Sequence, residues 1–484
     1  MLIAQLHGGQ GHSVRLRAAL ALCAMARRLG WEGCMAGAAL PTLVCILEDA
    51  TEPWAQHRAA EALCQLAEEP QLRRPIAASA LPGLVGLLAD SGLPGLRHTV
   101  ADGLWQLVQA PRLERVVAAL ALPALVDLLG GRDVEAQADA AGILARLAAT
   151  PSLRQPLCAA ALPGLVSLLD DWASHRARDS AARTLKEVAR DPEVRSHICQ
   201  AALPALLRLS GAAMYARSRY TALSVLRQLA RTPELRQPVA EGSLPVLVHL
   251  LEDTSDVTGR HRALALLSGL APAADLAPML ATAALPALVS MLHLQDSLGC
   301  MASALHVLYK LAAVNEVRPL MEETAVYRLV DLLENAPSIE IKTRAADTLV
   351  ELALAPSLVL TIVDAAVPAL KALSLDKCQP HNRSLAASTI CKLAAAPEAR
   401  QVIADTALTT IVDLCNDVTD SVSSCHAAGA LLKLAHASEL RRNIVDAALP
   451  ALVQLAGAAV NTSGHLQACA ALTLLGCPCE QQDG

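Results

Sequence analysis

Apolar residues along this chain fall three and four apart, and the spacing itself recurs. The string ALPTLVCIL at 39–47 returns as ALPGLVGLL at 80–88, ALPALVDLL at 121–129, ALPGLVSLL at 161–169 and ALPALLRLS at 202–210. It continues as SLPVLVHLL from 243, ALPALVSML from 284, AVYRLVDLL from 325, AVPALKALS from 366, ALTTIVDLC from 407 and ALPALVQLA from 448. The step is 41 residues, once 40, a period that marks an array of stacked repeats. Each string carries Pro at its third place (Pro41 to Pro450), replaced by Tyr327 and Thr409, and a second Pro often leads it by twelve residues, as in Pro70, Pro111, Pro151, Pro192, Pro233, Pro356 and Pro397. Pro suits the first turn of a helix, where its missing N–H costs no bond, so two helix starts per repeat are predicted. A longer segment follows, such as PWAQHRAAEALCQLAEE at 53–69 or EIKTRAADTLVELALA at 340–355, with the helical period. Each unit therefore reads as a short helix, a second short helix and a third of about four turns. None buries its apolar stripe alone, so neighbours must stack and share a core.

Composition narrows the class. The chain is 54% apolar, 2% aromatic and lacks Phe, leaving Leu, Ala and Val to fill the core. That palette favours helices over strands. Charge is absent from 276–295 and from 447–479, but Pro278, Pro286 and His293 break the first stretch, and Pro450, Gly457 and the run NTSGH break the second, so neither reads as a membrane span. The start, MLIAQLHGGQGHS, has neither the basic region nor the apolar stretch of a signal peptide. A soluble cytoplasmic protein with no membrane contact is expected, with a ciliary or nuclear setting as the alternatives. Fourteen scattered cysteines fit a reducing compartment, and the one close pair, Cys477 and Cys479, lacks the further ligands of a zinc site.

Three helices per unit, a period near 41 and ALPxLVxLL opening the second helix resemble the armadillo repeat, in eleven in-register copies over residues 11–476. HEAT repeats, with two helices per unit, are the nearest rival, and the twin Pro markers favour three. The resemblance implies an all-α, right-handed superhelical α-solenoid of about twelve repeats: residues 1–28 a partial first repeat with its third helix only, 29–476 the array, 477–484 a tail. Two departures stand out. The Gly that armadillo repeats carry three residues before the Pro position survives only as Gly242. In the armadillo nuclear-import receptors a Trp and, four residues on, an Asn recur along the third helix to hold a basic peptide. The matching pairs here include Trp105 and Gln109, Lys186 and Arg190, Arg227 and Arg231, and Tyr309 and Ala313; one Trp and no Asn remain, so that activity is not expected.

The formal charge of −6 is uneven, since residues 175–240 hold twelve Arg or Lys against five Asp or Glu, while 241–484 hold fifteen against twenty-five. Lys186 with Arg190, and Arg227 with Arg231, are four apart and share a helix face that the resemblance places in a concave groove. Tyr220 lies on nearly the same face. Trp105, Gln109, Lys186, Arg190, Tyr220, Arg227, Arg231 and Tyr309 are the candidate groove residues. Arg pairs bidentately with carboxylate and phosphate, so an acidic or phosphorylated protein segment is the expected partner. Nucleic acid is disfavoured by the net acidity and scarce aromatics. Another series, Arg73, Arg154, Arg195, Arg236, Arg318, Arg400 and Arg441, reads as an inter-repeat contact or a solvated ridge.

No motif with a catalytic mechanism is present. GGQG at 8–11 lacks a Walker Lys, no HExxH occurs, and His57, His98 and His261 recur by repetition. A non-enzymatic interaction scaffold without cofactor or metal is expected, with a structural subunit of a large cytoskeletal or ciliary assembly as the alternative. The charge-free C-terminal end is expected to meet a partner, another copy or further chain.

Overall fold

The computed structural model describes residues 12–29, 32–49, 52–90, 94–170, 174–212, 216–293, 297–376, 379–417, 420–457 and 463–477; GGQG at 8–11 and all of the 477–484 tail but Cys477 lie outside them. The regular elements among these residues are helices, gathered into two compact units, Met1–Ser243 and Leu244–Gly484. The first runs α1 (His12–Leu29), α2 (Glu32–Glu48), α3 (Pro53–Leu66), α4 (Arg73–Ser79), α5 (Leu81–Asp90), α6 (Pro94–Val108), α7 (Glu114–Leu129), α8 (Val134–Leu147), α9 (Arg154–Asp170), α10 (His175–Val188), α11 (Arg195–Gly211) and α12 (Ala216–Leu229). The division falls within α13 (Arg236–Glu252). In this unit α3, α6, α8, α10 and α12 pack side by side as one layer, and α2, α5, α7, α9 and α11 as the other.

The second unit continues with α14 (Val257–Leu270), α15 (Ala277–Met291), α16 (Leu298–Ala312), α17 (Arg318–Asn335), α18 (Ile339–Leu352), α19 (Pro356–Ser374), α20 (Pro380–Leu393), α21 (Ala399–Asn416), α22 (Ser421–Leu434), α23 (Arg441–Gly457) and α24 (Ser463–Leu475). Here α14, α16, α18, α20, α22 and α24 form one layer and α15, α17, α19, α21 and α23 the other. In both units Leu and Ala fill the space between layers; Leu144, Leu226 and Leu349 are fully buried, each contributing about 1.5–3 kcal/mol. The 151–170 and 356–374 stretches are long and apolar enough to cross a membrane, yet α9 stacks between α7 and α11, and α19 between α17 and α21.

The expected short, short and long helices are corrected to two per repeat. Pro41, Pro123, Pro163, Pro204, Pro245, Pro286, Pro368 and Pro450 lie inside helices that run through them. Among the described residues only the α4–α5 pair shows the predicted break, at Ala80, with Pro82 opening α5. An interior Pro forfeits one hydrogen bond and crowds the carbonyl four residues back. Here each Pro is exposed, and so are the residues four back in seven helices, Ala119, Ala159, Gln200, Glu241, Thr282, Asp364 and Asp446, so water can reach the freed carbonyl. Helix-forming Ala at most of the places where armadillo repeats turn at Gly removes the reason to break. Gly242 does not turn the chain either. It lets repeats approach, since a Cβ there would lie 2.4 Å from Leu207 Cδ1. The leading Pro does mark a start: Pro151, Pro192 and Pro233 open 3-10 turns ahead of α9, α11 and α13, and Pro356 opens α19.

Side chains close the helix ends. Asp133, Ser174, Asp256, Ser338 and Asp420 accept from first-turn N–H groups of α8, α10, α14, α18 and α22. The seven-membered arginine series caps the other end. Nε of Arg73, Arg154, Arg195, Arg236, Arg318, Arg400 and Arg441 donates to the carbonyl of Ala67, Ala148, Ala189, Ala230, Ala312, Ala394 and Ala435, at 2.8–3.3 Å, where the preceding long helix ends. The orphan carbonyls and the negative end of the helix dipole both favour a guanidinium there. Some members also reach the next repeat, as Arg195 does through Thr232 Oγ1 at 3.3 Å.

Candidate partner-binding groove

The long helices of the first unit place one cavity on their shared face, about 700 Å³ in volume and lined by residues that include Asp102 and Trp105 of α6, Asp139 of α8, Arg176, Asp179 and Arg183 of α10, and Arg217 of α12. Its charges are largely matched. Arg176 donates to Glu135 at 2.7 Å and to Asp139 at 2.9 Å. Asp179 takes Arg183 at 3.4 Å and Arg217 at 3.3 Å. His98 Nδ1 stands 2.5 Å from Asp139 Oδ2, and its Nε2 3.6 Å from Asp102. The Asp139 hydrogen bond pushes the His98 imidazole above its ordinary 6.5, while burial pushes the Asp139 carboxyl upward against the pull of His98 and Arg176.

Further along the face, Lys186 lies one turn beyond Arg183 on α10, and Arg227 near the end of α12. Neither has a hydrogen-bond or ion-pair partner among the described residues. Arg190, just past α10, pairs with Glu187 at 2.7 Å, and Arg231, just past α12, donates to Gln228 at 3.1 Å. Tyr220 is half-buried beneath the Arg219 guanidinium, 5.4 Å from its ring centre, instead of lying open as an aromatic platform. Gln109 follows the end of α6 and is half-buried, and Tyr309 is exposed on α16 of the second unit. The structure thus brings Trp105 to the cavity, sets Lys186 and Arg227 on adjacent helices, and leaves Tyr309 in a different unit.

Two features escaped the sequence reading. The block at 175–240 is not an open field of positive charge, because Arg195 and Arg236 cap helices, Arg178 and Arg219 are buried, and Arg208 pairs with Asp170. Burial, and then the nearby charge of Arg231, pull Arg195 below the usual guanidinium value. A second capping series also went unseen. Gln56 donates to Leu47 O at 3.1 Å, Gln137 to Leu129 O at 3.2 Å and Lys342 to Glu334 O at 2.9 Å, each closing the helix before its own, and Arg260 donates to Thr254 O at 2.9 Å in the turn after α13. Its trace in the sequence is a long polar side chain in the first turn of the long helix, at the repeat spacing.

No family model and no curated protein match the chain. Solved structures do. A crystal structure of an engineered protein is 24% identical over 90% of this chain and 98% of that one, with a TM-score of 0.54. A structure from work on "a conserved phosphorylation switch" that "controls the interaction between cadherin and beta-catenin" is 18% identical over 98% of both chains, with a TM-score of 0.60. The chain has the fold of an all-α solenoid of stacked helical repeats.

Proposed function

We propose that the chain is a non-enzymatic scaffold whose first unit holds an extended, acidic or phosphorylated segment of a protein partner along the α10–α12 face. Lys186 and Arg227 carry this reading. Of the twelve cations between 175 and 240 they are the two with no partner among the described residues, and they stand at equivalent places on adjacent helices. A desolvated carboxylate or phosphate would supply what each lacks. The likeness to a structure concerned with a phosphorylation-controlled protein interaction supports a protein ligand. Trp105 offers an apolar contact at the other end of the same face.

The test is fluorescence anisotropy with a labelled decaglutamate peptide, at low salt, where surface charge acts most strongly. Lys186→Glu combined with Arg227→Glu is expected to weaken binding by about tenfold or more while leaving the helical circular dichroism unchanged. Equal affinity for the double variant and the parent chain would remove the reading.

A further inference from the structure

A histidine stands at the acidic end of this groove. Asp102, His98, Asp139, Arg176 and Glu135 form a continuous chain of contacts across α6, α8 and α10, beside the cavity that Trp105 lines. Asp139 is only 8% exposed, so its charge is poorly screened by water. With a neutral imidazole the chain sets three carboxylates against one guanidinium; a proton on His98 supplies the second cation.

We propose that His98 is a proton-operated gate on the groove: protonated, it cancels one carboxylate of the wall and admits an anionic segment from the Lys186–Arg227 end into the Trp105 cavity, and neutral, it leaves the wall acidic and shuts that end. The gate rests on the reading of the groove given above. The charged groups that act on His98 are Asp139 on α8, Asp102 on its own helix and Arg176 on α10, the first two favouring the proton and the third opposing it. Of the helices packed against α6, α3 presents His57 and Glu61 at the places equivalent to His98 and Asp102, with Glu61 held by Arg58 at 2.5 Å. The described charged residues of α4 and α7 are Arg73, Arg74, Glu114, Arg115 and Asp127. The imidazole is held above its ordinary value of 6.5, so the gate is open below that value and closes as pH rises through the raised one. An anionic ligand then favours the protonated form, and its affinity falls with rising pH.

The experiment uses the full chain and the labelled decaglutamate peptide from pH 6 to pH 8 at low salt. Affinity is expected to drop about two- to fivefold across the range, the effect of one charge acting over roughly 10 Å of a partly aqueous groove. His98→Gln, which keeps a donor toward Asp139 without the charge, should flatten the dependence at the high-pH level. His197→Gln, altering an exposed histidine of α11 in the other layer and away from the cavity, should leave it intact. Histidine-selective NMR of the free chain gives a readout without ligand: His98 should titrate above 6.5 and fall toward it in Asp139→Asn. A pH slope that survives His98→Gln, or a His98 that titrates at or below the ordinary value, overturns the gate while leaving the groove reading standing. Peptide binding absent at every pH, or insensitive to Lys186→Glu with Arg227→Glu, overturns the groove reading and the gate with it.

Discussion

At the scale of single residues, identical types do unlike work. Among the arginines between 175 and 240, Arg195 is 7% exposed and bonded to two carbonyls and a hydroxyl, whereas Arg227 is exposed with no partner among the described residues. Arg195→Met should therefore cost about 1–3 kcal/mol, read as a lowered Tm, because it leaves the Ala189 and Arg190 carbonyls without their donor. Arg227→Met should leave the Tm within about a degree, as expected of a surface change. Gly103 offers a sharper case, since a Cβ there would meet Cys64 Sγ at 2.2 Å and Cβ at 3.0 Å, close to the α3 backbone. Gly103→Ala should cost about 1–3 kcal/mol by overpacking. The sequence showed that an arginine series existed, because repetition is visible in letters. It could not show all the arginines that were spent, because Asp170 on Arg208, Asp179 on Arg217 and the helix-end carbonyls are brought near only by folding, whereas Glu187 and Arg190 lie within one helical turn.

At the scale of the element, the helical class and the long-helix positions were legible from the apolar spacing, and the fusion of the two expected short helices into one was not. Pro was read as a start signal at both of its places. It is one at Pro151 and an exposed interior residue at Pro163, and what separates them is whether the preceding residues are already helical and whether water reaches the freed carbonyl. The α17 and α21 helices, with Tyr327 and Thr409 in place of Pro, are equally continuous. Pro163→Ala should therefore restore a missing bond within α9 and raise the Tm, by up to about 3 kcal/mol of stability. A fall in Tm would mean that the Pro163 ring contributes more to the stability of α9 than the bond it forfeits.

At the scale of the whole molecule, each repeat touches its neighbours within a unit and little else, as stacked arrays do. Hydrogen exchange should register this: Gly103→Ala is expected to speed exchange in α3, α6 and α8 and to leave α20, α22 and α24 as they were. Uniform loss of protection across the chain would show that the array unfolds as one block. The count and period of the repeats were open to reading from the sequence, and the division into two units was not, since no change of composition or linker marks Ser243. The end-capping arginines carry one last implication. Because Arg154 and Arg195 each close the helix just before them and stand one full period apart, the chain can be spliced between them without orphaning a carbonyl. Excising residues 154–194 as a single cassette should give a shorter protein that still melts cooperatively, with Arg195 inheriting Ala148, whereas cutting out half that length should give an insoluble one. Growth and loss by whole cassettes is thus written into the joints, and a gene lengthened by duplication would need no repair at the seam.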